Sequence, residues 1–356
     1  MLAIGIVGLP NIGKSTLFNA LTKSNILVAN YPFATIEPNI GIVNVPDQRL
    51  IELSKIFQTE KITPATIKFI DIAGLVEGAN KGEGLGNQFL ANIRSCNAIV
   101  HVVKAFNNQN VESSNSFSPK RDIEIINTEL VLADLSVIDK RLLKIEKEFK
   151  ANPKLKVILD TFKEAKGILE NNILLKDSSI RNPEYLNELQ LLTLKPIIYL
   201  FNLSENDLNN QNLKNDLNTI ISPTKPLFIS AMLEEELKDL DDKDSQELLL
   251  SYNQQESGLI QLIQKSYDIL GLQSFLTAGK QEVRAWTIQK GITAPKAAGI
   301  IHKDFERGFI AAEIYNYQDL IECGSYQQVK SAGKIRTEGK NYIMQENDVV
   351  EFRFNV

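Results

Sequence analysis

The chain is poor in the residues that mark several large classes of protein. It holds two cysteines, Cys96 and Cys323, in 356 residues. Two thiols cannot build a disulfide framework, and that suits a reducing compartment. No apolar run approaches the ~20 residues that a membrane span needs. A basic excess is missing too. The formal net charge of −5 argues against a protein that coats nucleic acid through its global field, though it leaves room for a local basic patch. No basic start precedes the short apolar run from Met1 to Gly8, which reads as a strand rather than a signal peptide. No internal repeat stands out. These absences lead to the expectation of a cytoplasmic protein with no membrane partner, and nothing suggests an obligate dimer, so a monomer is expected.

What is present is ordinary globular composition, 43% hydrophobic and 23% charged, in a length that allows two or three domains. Leu2 to Val7 is a β-branched apolar run closed by Gly8, and Lys14 to Leu21 continues with helical spacing of Leu17, Phe18 and Leu21. Further strand candidates are Ile40–Val45, Ile67–Ile72, Ala98–Val103, Pro196–Phe201 and Pro226–Ile229, alternating with helical stretches. That alternation predicts an α/β fold with a largely parallel sheet covered by helices on both faces. From about Ile123 to Leu192 the period changes to that of long amphipathic helices. Ile126, Leu130, Ala133, Val137 and Leu142 recur mostly at three- to five-residue spacing, and Lys140, Arg141, Lys144, Glu146, Lys147 and Glu148 are read as the other face. A helical hairpin inserted into the α/β domain is the reading, with Asn107–Ser118 as a loop leading into it. Asn206–Asn218 and Glu234–Glu247 read as solvated polar surface. After about Gln273 the helical pattern stops, and Val283–Ile288, Phe309–Ile314 and Val349–Phe354 predict a compact α+β terminal domain.

The chemistry is carried by Gly8-Leu9-Pro10-Asn11-Ile12-Gly13-Lys14-Ser15, placed after a strand and before a helix. Such a loop points its backbone N–H groups at phosphate oxygens, and the following helix adds its N-terminal partial charge. Asn11, Ile12, Gly13, Lys14, Ser15 and Thr16 are therefore the expected phosphate-binding residues. Lys14 is expected on the β- and γ-phosphates and the Ser15 hydroxyl on Mg²⁺. Asp71-Ile72-Ala73-Gly74 ends a strand, where a carboxylate holds Mg²⁺ through water and Gly74 can donate its N–H to the γ-phosphate. Thr35 falls between the first helix and the next strand, where a threonine closes over Mg²⁺; a plain loop threonine is the other reading. The expected catalytic set is Lys14, Thr35 and Gly74, and the metal set is Ser15, Thr35 and Asp71.

Guanine-specific proteins of this type carry Asn-Lys-x-Asp after a late strand, and this chain has Asn202-Leu203-Ser204-Glu205 there. The bidentate guanine clamp is not encoded. An Asn side chain can match the donor and acceptor edge of adenine, so ATP is the expected substrate. Ser230, Ala231 and Met232 follow the last strand and are expected to supply groups to the base. Phe106 either stacks on it or serves as a core aromatic. Asn80-Lys81-Gly82-Glu83 imitates the guanine motif but lies on the γ-phosphate side. Leu75 occupies the place where many GTPases carry a water-aligning Gln, which predicts slow intrinsic hydrolysis awaiting help. Asn11 either ligates K⁺ beside the phosphates or braces the loop.

The loop Gly8–Thr16, the run Asp71-Ile72-Ala73-Gly74-Leu75-Val76, the glycine-rich Lys81–Asn87 and the Asn202–Glu205 segment together resemble the Obg-like ATPase (YchF) family. Asp304–Phe309 and Asp348–Phe354 resemble that family's TGS domain. The resemblance runs from end to end of the chain. It implies a Ras-like nucleotide domain (1–121 and 193–272), an inserted α-helical coiled coil (122–192) and a C-terminal β-grasp TGS domain (273–356). It also implies ATP preference, with Asn202, Leu203, Glu205 and Phe106 near the adenine, Leu75 as the replacement of the usual Gln, and association with ribosomes. One departure stands out. Family members often carry a loop histidine before the coiled coil, where this chain has Glu112-Ser113-Ser114, and its only histidines are His101 and His302. His101 sits on an expected strand and reads as a packed residue. Lys330, Lys334, Arg336 and Lys340 cluster in sequence, a solvated face on the first reading and an RNA contact on the second. Two other functions compete: a GTPase of translation-factor type, and a nucleotide-sensing scaffold with negligible turnover.

Overall fold

The computed structural model describes residues 2–23, 39–73, 85–106 and 118–355. They fall into two compact units, one drawn from 2–23, 39–41, 68–73, 85–106 and 118–262, the other from 42–67 and 263–355. Among the described residues no helix is long and apolar enough to cross a membrane.

In chain order the first sheet is built from β1 (Ala3–Val7), β2 (Ile40–Asn44), β4 (Thr66–Asp71), β5 (Ala98–Lys104), β6 (Ile197–Asn202) and β7 (Leu227–Ile229), with the short β3 (Ile62–Thr63) going elsewhere. The order across the sheet is β2-β4-β1-β5-β6-β7. β4, β5, β6 and β7 all run parallel to β1 through their successive pairings. Every residue of β1 and of β6 is buried. That is why these strands read as continuous apolar runs rather than alternating ones: both faces are covered. The covering helices include α1 (Lys14–Lys23), α3 (Leu85–Ser95), α6 (Gln211–Ile220) and α7 (Ala231–Leu237), while α2 (Gln48–Phe57) belongs to the second unit.

Between β5 and β6 stands the helical hairpin, α4 (Pro119–Ala151) and α5 (Lys156–Glu170). Ser118 caps α4 by accepting from the N–H of Arg121, and Pro119 fills the first helical position, where a missing N–H costs nothing. Asn152 and Pro153 end it, with the Asn152 side chain accepting from the N–H of Lys154 to start the turn. Ile138, Leu142 and Ile145 of α4 are buried in the same core as Leu159, Phe162, Ala165 and Leu169 of α5. The hairpin is pinned at its base by Asp134, which is fully buried. Its carboxylate accepts from the N–H groups of Leu192 and Thr193 at 3.0 and 2.8 Å and from the Thr193 hydroxyl at 2.7 Å. Burial raises the pKa of this carboxyl, and those three donors pull against the rise.

The second unit holds a mixed sheet in the order β11-β10-β12-β8-β9-β3, with β8 (Leu272–Ala278), β9 (Val283–Gln289), β10 (Phe309–Asn316), β11 (Arg336–Glu338) and β12 (Asp348–Phe354). The three strands expected here are present. β8 is an addition, because Leu272, Phe275 and Leu276 are spaced as on a helix and Gln273 and Ser274 are polar. The structure buries both polar side chains and satisfies them: Gln273 Nε2 donates to the carbonyl of Met344 at 2.7 Å, and Ser274 shares a 2.7 Å bond with the Tyr267 hydroxyl. Residues 42–67 join this unit through parallel pairing of β3 with β9, through Arg49 donating to the Glu346 carbonyl, and through the Tyr317 hydroxyl donating to Glu52.

Candidate functional site

Five parallel strands deliver their carboxyl ends to one edge of the first sheet, the edge where open α/β sheets bind ligands. β1 leads into Gly8–Ser15, β4 ends on Asp71, β5 is followed by Phe106, β6 ends on Asn202, and β7 is followed by Ser230. Sequence analysis had placed a functional residue at each of these five ends. The N-terminal part of this edge is a cleft of about 540 Å³, lined by Leu9, Pro10, Asn11, Gly13, Lys14, Ser15, Thr16, Asn39, Asp71 and Ala73.

The loop is a cradle that side chains would fill. A Cβ on Gly8 would stand 2.1 Å from Ile12 Cδ1 and 2.8 Å from the carbonyl oxygen of Val102. Gly13 has φ +88°, and a Cβ there would stand 2.4 Å from Asn202 Nδ2. Asn11, with φ 62°, holds the left-handed conformation that asparagine tolerates better than most residues. The Lys14 ammonium is in contact with the Asp71 carboxylate, and only about a tenth of either side chain is exposed (10% and 14%). The phosphate lysine and the carboxylate at the end of β4 therefore share one point at the mouth of the cradle. Ser15 lies exposed in the first turn of α1. No cluster of three His, Cys, Asp or Glu able to hold a metal exists among the described residues. A hydroxyl and a carboxylate beside a phosphate loop are, by contrast, the hard-oxygen donors that suit Mg²⁺, which keeps several waters and takes further oxygens from phosphates.

Asn202 has a structural task in addition to the one its sequence position suggested. Its side chain is 4% exposed. Nδ2 donates to the carbonyl of Ile12 at 2.8 Å, and Oδ1 accepts from the N–H of Ala231 at 2.9 Å. The amide thus ties the phosphate loop to the start of α7, with one of its two Nδ2 hydrogens committed to Ile12. Leu203 is buried, and its N–H donates to the carbonyl of Ile229. Glu205 accepts from the Ser230 hydroxyl at 3.2 Å, while that hydroxyl accepts from the N–H of Leu233 and caps α7. Ala231 is buried and Met232, in the first turn of α7, is 60% exposed. Phe106 is half-buried, with the Lys104 ammonium 4.9 Å from its ring centre. The N–H of Ala105 donates to the carbonyl of Asn202, which brings the Phe106 segment beside the end of β6.

Thr35, Gly74, Leu75, Asn80 to Glu83 and Glu112 to Ser114 lie outside the described residues. His101 does not: it is 1% exposed in the middle of β5 and tilted against Tyr199 at 5.5 Å. Burial pushes its pKa down to about 3, so it is neutral and packed, as its strand position implied. His302 is exposed and caps the helix Lys303–Arg307 through Nδ1. One expectation needs correction, and one residue of the cleft carried no expectation. Glu234 lies in a stretch read as solvated surface, but it is 3% exposed and accepts from Ser257 Oγ at 2.5 Å and from the N–H of Gly258 at 2.7 Å. It caps the helix Gly258–Ile269, a role set by residues more than twenty positions away. Asn39 went unremarked, yet it lines the cleft and its carbonyl accepts from the N–H of Asp71 at 2.8 Å. An asparagine next to a strand start was its one local signal. Of the basic cluster near the C-terminus, Lys334 is paired with Asp319 and Glu322, and Arg336 with Glu338 and Asp348. Half of that cluster is neutralised in place.

Comparison with known proteins bears on the fold and the family. A family profile for a YchF GTPase C-terminal domain, described as a protein of unknown function, matches residues 272–355. A second, described as 50S ribosome-binding GTPase, matches residues 3–159. The chain is 45% identical over 372 residues to the ribosome-binding ATPase YchF of Bacillus subtilis, with all of both chains covered. It is 46% identical over 358 residues to the protein of that name from Haemophilus influenzae, with 99% of each covered. The structure of the Schizosaccharomyces pombe YchF GTPase superposes with a TM-score of 0.88 at 36% identity, covering 99% of this chain and 97% of the other. With its P-loop α/β domain, its helical insert and its mixed-sheet C-terminal domain, the chain belongs to the YchF family.

Proposed function

We propose that the protein is an ATP-binding, slowly hydrolysing regulatory ATPase that associates with ribosomes in a nucleotide-dependent way. The observation that carries the choice of base is the end of β6. Buried Leu203 cannot cover a base as the lysine of a guanine motif does, and Glu205 is held by Ser230. Asn202 keeps a second Nδ2 hydrogen beyond its bond to Ile12, and it contacts the adenine together with Phe106, Leu203, Glu205, the exposed Met232 and backbone groups around Ser230–Met232.

At the other end of the cleft Gly13, Lys14 and the first turn of α1 hold the triphosphate, and Lys14 exchanges its contact with Asp71 for β- and γ-phosphate oxygens. Ser15, Asp71 and Thr35 would hold the Mg²⁺, which when bound would neutralise charge on the β- and γ-phosphates. Gly74 meets the γ-phosphate. Leu75 cannot orient water, so hydrolysis is slow until K⁺ at Asn11 or a partner assists. Support for the ribosome as partner comes from the names of the bacterial relatives, and a cytoplasmic location follows from it.

Calorimetric titration with ADP and GDP in the presence of Mg²⁺ tests the base. ADP should bind the tighter, and GDP binding tenfold tighter than ADP would sink the assignment. Phosphate release measured with and without ribosomes and K⁺ tests turnover, which Lys14→Ala should abolish.

A further inference from the structure

The far end of the helical hairpin carries a charge that the nucleotide site does not use. Between Asp139 and Lys156 there are seven basic and three acidic side chains, a net of +4 in a chain of net −5. All three acids are engaged. Asp139 is paired with Lys166 at 2.7 Å, Glu146 with Lys163 at 3.7 Å and Glu148 with Arg141 at 3.5 Å. The six lysines Lys140, Lys144, Lys147, Lys150, Lys154 and Lys156 are all exposed, and none has an ion pair among the described residues.

Helix geometry arranges them. At 3.6 residues per turn Lys140, Lys144 and Lys147 fall within an arc of roughly 60° on α4, with Lys150 flanking, and the row is about 15 Å long from Lys140 to Lys150. Asp139 and Glu146 lie on a different arc, toward α5, where Lys163 and Lys166 take them. The outward arc is therefore cationic without compensation. This contrasts with Lys334 and Arg336 near the C-terminus, whose charges are met by four acids.

We infer that this lysine row is a docking surface for the phosphate backbone of RNA. Lysine ammoniums on flexible stems act as point charges toward phosphate and carry no bidentate base code, so the row suits backbone contact rather than sequence reading. Exposed apolar residues at this end are Leu143 (65%) and Val157 (48%). Two such residues do not make the continuous apolar face that an interfacial membrane helix needs. The inference rests on the ribosome reading only for the source of the RNA. Because α4 spans 33 residues, roughly 50 Å, the row can touch RNA well away from the end of the hairpin that meets the sheet.

The test uses the full-length chain and a triple variant, Lys140→Gln, Lys144→Gln and Lys147→Gln. A control triple, Lys225→Gln, Lys243→Gln and Lys265→Gln, makes the same change in net charge elsewhere. Affinity for a naked RNA duplex is measured between 50 and 200 mM salt. The hairpin triple should bind about tenfold or more weaker, with a salt slope smaller by about 3, roughly one per lost phosphate contact. The control should stay near wild type. No measurable duplex binding by wild type, equal loss in both triples, or an unchanged slope overturns the inference. So does a loss confined to anionic phosphatidylserine vesicles, which makes the row a membrane surface. Cosedimentation with ribosomal subunits separates the two claims. If wild type does not sediment with ribosomes while the duplex result holds, the ribosome reading fails and the lysine row stands. If wild type sediments and the hairpin triple does so equally at every salt, the row fails and the ribosome reading stands.

Discussion

Replacing Asn202 with alanine separates its task as a strut from its contact with the base. The side chain is 4% exposed, and its amide holds the Ile12 carbonyl at 2.8 Å and the Ala231 N–H at 2.9 Å. Truncation strands both groups in the interior. A buried polar group left without a partner costs about 1–3 kcal/mol, so the pair should cost about 2–6 kcal/mol. In a unit of this size each kcal/mol lowers the midpoint by about 2–4 °C, which gives a fall of roughly 4–24 °C. Asn202→Asp keeps an acceptor for Ala231 but sets a carboxylate oxygen against the Ile12 carbonyl, so it should do no better. The assay is thermal unfolding without nucleotide, followed by calorimetry of ADP and GDP on the folded variant. Because the Ile12 carbonyl belongs to the phosphate loop, both affinities should fall, and ADP should lose the more because Asn202 also meets adenine. An unchanged midpoint refutes the strut, and an ADP to GDP ratio that holds within about threefold, about 0.7 kcal/mol, refutes the base contact.

Two further outcomes follow from single positions. Gly13→Ala places a Cβ 2.4 Å from Asn202 Nδ2 at φ +88°, so it should abolish measurable ADP binding while leaving the helical circular dichroism in place; affinity within threefold of wild type contradicts the cradle geometry. His101 is held neutral with a pKa of about 3, against about 6.5 in the unfolded chain. The unfolded state therefore binds the extra proton as pH falls below about 6.5, and stability drops across that window, by about 3 kcal/mol at pH 4 from this residue alone. In His101→Leu the urea midpoint should fall less steeply between pH 6.5 and 4, and parallel profiles for the two proteins would show that another group carries the acid sensitivity.

The phosphate cradle and the hairpin were legible because their signals are local. Strand, glycine loop and helix follow one another within Ala3–Lys23, and each sets its own backbone by steric and hydrogen-bonding rules that act over three or four residues. The buried parallel strands were legible for a similar reason, since covering both faces leaves a continuous apolar run. β8 was not, because its apolar residues keep helical spacing and its polar ones find partners only in the folded chain: Gln273 reaches Met344, 71 residues away. Residues 42–67 were read with the nucleotide domain, to which they are adjacent in sequence, whereas in the structure β3 pairs with β9.

The linear pattern was enough to point to the reaction class, through a phosphate loop with Lys14, Ser15 and Asp71 expected at its mouth, and to the lack of a guanine clamp. That Asn202 braces the phosphate loop shows only in the fold, since its partner Ile12 lies 190 residues away. The fold also makes Glu234 a buried cap, and it sets Asp139 and Glu146 of α4 against the lysines of α5 while the six lysines of the hairpin end stay exposed. Side-chain tasks of this kind depend on which distant donor or charge arrives within hydrogen-bonding range, and a linear pattern does not record that. The cradle needs only its own backbone, but the strut that holds it needs the whole sheet.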